Sequence, residues 1–159
     1  MRNTFEIRRA TADDIPAVVG LWQELIQYHA ELDTYYSWTE PDSSDWCASL
    51  VAGHIASDTS TVWIAESNRE VIGVCLAQII ERPPVFQESQ CGEIPVIAVT
   101  TRHRRNGVGR ALVQISIEWF KDLGVNRVEL RVLIQNEPTR RFFTSLGFSP
   151  FLETLSRRL

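Results

Sequence analysis

The stretch Arg104-Arg105-Asn106-Gly107-Val108-Gly109 constrains this chain more than any other. It stands between an apolar, strand-like run at residues 94–99 and a strongly periodic helix that begins near Val108. Glycine lets a backbone approach a ligand without a Cβ in the way, and it takes φ > 0 readily. The first N–H groups of a helix have no internal partner and carry the positive end of the helix dipole. A basic turn with two closely spaced glycines at a helix start is therefore an anion cradle for phosphate or pyrophosphate. The arginines add charge-assisted hydrogen bonds.

Two readings of the cradle fail on particular residues. A Walker-type loop ends in Gly-Lys-Ser/Thr, whereas this one ends Gly109-Arg110-Ala111. A dinucleotide fingerprint needs a small residue three positions after Gly109, where Leu112 stands, and a βαβ unit that the surrounding sequence does not show. Arg104-x-x-Gly107-x-Gly109 does match in full the Arg/Gln-x-x-Gly-x-Gly/Ala pyrophosphate loop of the GNAT acetyltransferases. The flanks resemble that family too. The preceding strand ends at Val99, five residues before Arg104. Downstream come Val128-Glu129-Leu130-Arg131-Val132, Asn136, and Phe142-Phe143-Thr144-Ser145-Leu146-Gly147-Phe148. Near the start, Ile7-Arg8-Arg9-Ala10-Thr11 and Asp13-Asp14-Ile15 are similar to the family's first strand and helix, and Ile72-Gly73 to its third strand. The resemblance is specific over residues 93–148 and looser elsewhere.

The local signals give an element order. A strand is expected over residues 5–10. Thr11 then caps a helix carrying Ile15, Val18, Val19, Leu21, Trp22, Leu25 and Ile26 at helical spacing. Asp42, Ser43 and Ser44 predict the cap of a second helix that runs to about residue 56. Strands over 61–66 and 71–80 form a hairpin around Ser67-Asn68-Arg69-Glu70, and Pro83 and Pro84 end the second. The fourth strand is expected over 93–99. Helix three shows Val108, Leu112, Ile115, Trp119 and Leu123 on one face and stops at Gly124. Residues 126–134 read as a strand. Asn136 caps a short helix with Pro138 in its first turn, Gly147 ends it, and residues 148–156 read as a last strand. The order β-α-α-β-β-β-α-β-α-β is mixed α/β and matches the GNAT arrangement. The resemblance implies a mostly antiparallel central sheet with helices on both faces and splayed fourth and fifth strands.

The 159 residues fit one domain, spanning 1–159. No apolar run reaches the ~18–20 residues of a membrane helix, and the N-terminal residues show no apolar leader. Cys47, Cys75 and Cys91 are spread out and odd in number, with neither metal-ligand spacing nor a disulfide frame. A cytoplasmic, reducing compartment is the simple expectation. A net charge of −4 argues against nucleic-acid binding, and Arg102-His103-Arg104-Arg105 reads as phosphate loop plus solvated charge.

The resemblance also implies roles. Backbone groups of Ile97, Ala98 and Val99 would bond the pantetheine arm of acetyl-CoA. The N–H groups of Arg104, Arg105, Asn106, Gly107, Val108, Gly109 and Arg110 would hold its pyrophosphate. Acyl transfer to an amine requires loss of a proton from the ammonium. Glu93, at the expected start of the fourth strand and eleven residues before Arg104, matches the position of the general-base Glu in the histone-acetyltransferase branch. A surface carboxylate at a strand start is the plain alternative. His29, Asp33 and His103 are further candidates. Many members place a Tyr four residues before the Gly of Leu-Gly-Phe to protonate the leaving thiolate. Phe143 stands there, without a proton to give, and packs against core or cofactor. Tyr35 and Tyr36 are substitutes by residue type alone. Asn136 serves the pantetheine, the helix cap, or both, and Arg140 reads as solvated. Trp22, Tyr28, Tyr35, Tyr36, Trp38 and Trp46 make the N-terminal third aromatic. They either pack internally or line an acceptor pocket, with Glu24, Asp33 and Glu40 drawing a cation.

The implied activity is acetyl-CoA-dependent N-acetylation of a small-molecule or peptide amine by direct attack, with no metal. A sensor that binds acyl-CoA without turnover, and a transferase of another acyl group, are the rivals. A homodimer is expected from the apolar C-terminal stretch at 148–155, which would need cover as an edge strand.

Overall fold

The computed structural model describes residues 4–36 and 43–159. Trp38 and Glu40, invoked above for the acceptor pocket, and Asp42, invoked for the cap of helix two, lie outside the described residues.

The hairpin forms where the turn chemistry placed it. Asn68 and Arg69 both take positive φ, 51° and 65°, the geometry whose twist suits a two-residue connection. It joins β2 (Ser60–Ser67) to β3 (Glu70–Glu81). β1 (Glu6–Arg9) pairs antiparallel with β2, and β4 (Gln90–Val99) pairs antiparallel with β3. β5 (Val128–Glu129) pairs parallel with β4, which completes the sheet order β1-β2-β3-β4-β5.

Two irregularities decide which side chains face which way. The β2–β3 register passes from Ala65↔Gly73 to Glu66↔Val71, so Ile72 is the extra residue of a bulge. The β3–β4 register passes from Leu76↔Val96 to Gln78↔Glu93. Pro95 sits in that interruption, where its missing N–H costs no ladder bond.

Each face of the sheet carries helices. α1 (Ile15–Leu32) and α2 (Ser43–Ile55) cover one face, with Val18, Leu21, Trp22, Cys47 and Val51 packed on Val62, Ile64, Val74, Leu76 and Val96. α3 (Val108–Asp122) and α4 (Glu137–Thr144) cover the other, with Val108, Leu112, Phe120 and Phe143 packed on Ile72, Cys75, Ala77 and Ile94. A Cβ on Gly92 would stand 2.8 Å from the Phe120 ring, so only glycine lets α3 settle onto β4 at that depth. α1 is anchored at its start. Arg8 holds both oxygens of the buried Asp14 at 2.7 and 2.9 Å, and Asp14 accepts from the Thr11 N–H at 2.7 Å.

The mixed α/β class, the mostly antiparallel sheet and the divergence of the fourth and fifth strands are as expected. Four details differ. The buried face of α3 runs through Val108, Leu112, Val113, Ser116 and Phe120, while Leu123 is 48% exposed. β5 is two residues long instead of spanning 126–134, because β4 offers it a partner only at Gly92 and Glu93. β4 begins at Gln90, so Glu93 lies within it and does not open it. The expected strand at 148–156 is not formed: residues 148–159 carry no strand, and Phe151, Leu152 and Leu155 are exposed. Strand-like composition needs a ladder neighbour, and this segment has none among the described residues.

Candidate functional site

The candidate site is built around the divergence of β4 and β5. The strands pair at Gly92↔Val128 and Glu93↔Glu129, and no further pairing between them follows among the described residues. From Ile94 onward β4 has a strand neighbour on its β3 side and an opening on the other. Ile97, Ala98 and Val99 lie along that open stretch, each half-buried.

Beyond Val99 the chain turns through Thr101–His103 and enters the loop. Arg105 takes φ 67° and Gly107 φ 83°, and Gly107 is the N-cap of α3. The first helical bond runs from the Ala111 N–H to the Gly107 carbonyl, so the amides of Val108, Gly109 and Arg110 have no partner inside the helix. A Cβ on Gly107 would meet nothing within 4 Å: the space above its backbone is open. Gly109 packs inward, and a Cβ there would lie 3.3 Å from the Phe142 ring. Val108 is buried in the core beneath the loop, while Arg104, Arg105, Asn106 and Arg110 are exposed. The Arg104 guanidinium donates from Nε to the Val99 carbonyl at 3.0 Å and stands 5.8 Å from the centre of the Tyr28 ring. Arg110 reaches the Ser145 hydroxyl at 3.4 Å. Positive charge, unpaired amides and an open approach satisfy what a pyrophosphate requires.

Glu93 stands where the strands part. Its side chain is 16% exposed, and Oε2 accepts from Gln78 Nε2 at 2.6 Å. Oε1 has Arg131 Nη2 at 4.0 Å, beyond hydrogen-bond reach. The carboxylate is thus held from one side. Across the opening Asn136 is 2% exposed, and its Oδ1 accepts from the Thr139 N–H at 3.3 Å and the Tyr28 hydroxyl at 3.4 Å. It caps α4 as expected and lies on the lip opposite β4. Phe143 is 4% exposed, with ring centres 5.0 Å from Phe142 and 5.5 Å from Phe148.

The other candidates scatter. His29 packs edge-on against Tyr36 at 5.3 Å, and burial pushes its imidazole below the usual range. Asp33 accepts from the Tyr35 N–H at 2.9 Å and from Gln135 at 3.5 Å. His103 bonds the Thr100 hydroxyl at 2.9 Å. Tyr35 is 84% exposed. Arg140 pairs with Glu137 at 3.2 Å on the surface. Trp22 and Trp46 pack edge to face at 6.1 Å. Glu24 lines a groove of about 570 Å³ between α1 and the loop, together with Gln27, Tyr28, Glu31, Thr101 and Arg104. Among the described residues no three His, Cys, Asp or Glu side chains group as a metal site. None of their helices is long and apolar enough to cross a membrane.

Gln78 is not a candidate from the sequence, and Tyr28 is one only as a member of the aromatic set that packs internally or lines an acceptor pocket. Gln78 reaches Glu93 only because the β3–β4 register shifts. Tyr28 did carry a signal, since Glu24, Tyr28 and Glu31 recur at helical spacing along one polar face of α1.

A profile described as the Acetyltransferase (GNAT) family matches residues 22–148. The chain is 27% identical over 101 residues to N-acetyltransferase family 8 member 3 of Rattus norvegicus, covering 64% of this chain and 43% of that protein. It thus spans less than half the length of that relative. Among solved structures, a tetramutant of the BH1408 protein from Bacillus halodurans superposes with a TM-score of 0.85 at 26% identity, covering 97% of this chain and 99% of the other. AAC(6')-Iy in complex with the bisubstrate analog CoA-S-monomethyl-acetylneamine shares the fold, with a TM-score of 0.74 at 17% identity over 98% of both chains.

Proposed function

The chain belongs to the acetyltransferase (GNAT) family, and on that footing we propose that it transfers an acetyl group from acetyl-CoA to a primary amine by direct attack in a ternary complex. The observation that carries this reading is that one strand, β4, joins a carboxylate at the apex of an opening to an anion cradle beyond its far end.

Acetyl-CoA supplies the acetyl group as a reactive thioester. The chain's part is to bind, orient and move a proton. The amides from Arg104 to Arg110 take the pyrophosphate, with Arg104 and Arg105 neutralising charge. Backbone groups of Ile97, Ala98 and Val99 and the carboxamide of Asn136 flank the pantetheine arm. Glu93 accepts the proton that the ammonium must lose, directly or through a water, at Oε1; Gln78 fixes Oε2. Phe143 supplies no acid and serves as packing. The acceptor is a small-molecule or peptide amine. AAC(6')-Iy, whose bound analog joins coenzyme A to an acetylneamine, supports an amine as the acceptor class.

Free thiols at Cys47, Cys75 and Cys91 support a reducing, cytoplasmic setting, and the exposed apolar segment at 148–155 supports a homodimer.

The test is a panel of amines with acetyl-CoA, read as release of coenzyme A thiol. Release with any amine supports the enzyme. Phe143 favours a second reading, an acyl-CoA sensor or a transferase for another acyl donor; tight binding of acetyl-CoA with no release across the panel would establish the sensor.

A further inference from the structure

Tyr28 touches both lips of the opening, and neither contact follows from its sequence position. It projects from α1, an element outside the β4-loop-α3 unit. Its hydroxyl donates to Asn136 Oδ1 at 3.4 Å, on the turn between β5 and α4. Its ring lies 5.8 Å from the Arg104 guanidinium, on the turn between β4 and α3. A second bond lies just past the end of α1, from Gln135 Nε2 to Asp33 Oδ2 at 3.5 Å. α1 therefore spans the gap that the divergence of β4 and β5 leaves.

We propose that Tyr28 is a positioning residue for coenzyme A, orienting the Asn136 carboxamide on one lip and seating the Arg104 guanidinium on the other. The proposal rests on the acetyl-CoA reading above and adds to it a residue outside the loop and the strand. The physical argument has two halves. A carboxamide can be turned over with little change in shape, and only its hydrogen bonds decide which end faces the ligand. Two donors on Asn136 Oδ1, the Thr139 N–H and the Tyr28 hydroxyl, settle that choice before a ligand arrives. Arg104 is long and exposed. The Tyr28 ring and the Val99 carbonyl at 3.0 Å hold its charge beside the end of β4. Order that the fold itself supplies is order that binding need not impose.

The experiment is a double-mutant cycle on coenzyme A affinity, by calorimetry on the full chain, with Tyr28→Phe and Asn136→Ser. Serine keeps the cap of α4 but is too short to meet the phenol. Tyr28→Phe weakens coenzyme A binding about five- to tenfold in the natural background, the scale of one hydrogen bond, and has no effect on top of Asn136→Ser. Tyr28→Leu, which also removes the ring, weakens it further and makes binding more sensitive to salt. A residue that merely packs would give the same loss in both backgrounds. Additive substitutions, or a Tyr28→Phe protein with unchanged affinity, overturn the role of Tyr28 alone. A natural chain that does not bind coenzyme A overturns both this role and the reading beneath it.

Discussion

Gln78 on β3 donates from Nε2 to Glu93 Oε2 on β4 at 2.6 Å, and the two residues are direct cross-strand partners. That pairing exists because the register shifts around Pro95. With Oε2 held by Gln78 and Oε1 4.0 Å from Arg131 Nη2, the carboxylate has a fixed orientation where β4 loses its β5 neighbour.

Glu93→Gln lowers kcat by ~10²–10⁴-fold, the usual contribution of a general base, with little change in coenzyme A affinity. The deficit shrinks as pH rises, because more of the amine then arrives already deprotonated. Gln78→Leu, which loosens the carboxylate without removing it, costs roughly tenfold in kcat. Steady-state rates across pH check both, and a Glu93→Gln enzyme with natural kcat at neutral pH moves the base elsewhere.

Gly107→Val separates binding from folding. The backbone there is left-handed, at φ 83°, where a β-branched residue is strained, and the added side chain would fill the open space over the amides. Coenzyme A affinity falls by more than roughly tenfold while the far-ultraviolet circular dichroism is kept. Unchanged affinity in a folded variant would remove the loop from the cofactor site.

Phe143→Tyr leaves turnover unchanged or raises it modestly, since position 143 gives no proton in the natural chain. Its ring is packed between Phe142 and Phe148, so a hydroxyl left without a partner there costs about 1–2 kcal/mol of stability. Thermal melting and kcat, measured on the same preparation, report the two effects separately.

Acid weakens the anchor of α1. The Arg8 guanidinium holds the Asp14 carboxyl at about 2, down from 3.8. The folded value lies below the unfolded one, so the stabilisation is complete above the unfolded value and is lost as pH falls from about 3.8 toward 2. Arg8 is partly open to solvent, so the pair contributes about 1 kcal/mol after screening. Asp14→Asn lowers Tm at pH 7, and the gap from the natural chain narrows at pH 3.

Light scattering checks association. A dimer mass that Leu152→Glu with Leu155→Glu reduces to a monomer places the contact on the exposed C-terminal segment. A natural chain that is monomeric at all concentrations excludes the homodimer.

The parts legible in the sequence are those that local chemistry decides. The turn at Asn68-Arg69, the cap at Asn136, the glycine exits of α3 and α4 and the cradle at Gly107 all follow from residues acting on their neighbours. What depends on distant partners was less legible. Residues 126–134 have the composition of a strand, but β4 meets them at two positions and then diverges. The same holds for 148–156, whose apolar residues find no ladder. On α3 the apolar spacing points to a face through Ile115, Trp119 and Leu123, whereas the buried face runs through Val113, Ser116 and Phe120, for whose ring Gly92 leaves room. Glu93 could be picked out, but its orientation could not: that comes from Gln78, across a bulge that no periodicity announces.

The pairing of β4 with β5 stops after two positions, and so short a joint is a fulcrum. It resists bending weakly, while the ladders of β2, β3 and β4 hold the rest of the sheet as one plate. The bond from Tyr28 to Asn136 ties α1 to the turn beyond that joint. Hydrogen exchange registers this directly. The expected outcome is faster exchange for the amides of β5 than for those of β3, with coenzyme A narrowing the difference; equal protection of the two strands would remove the idea.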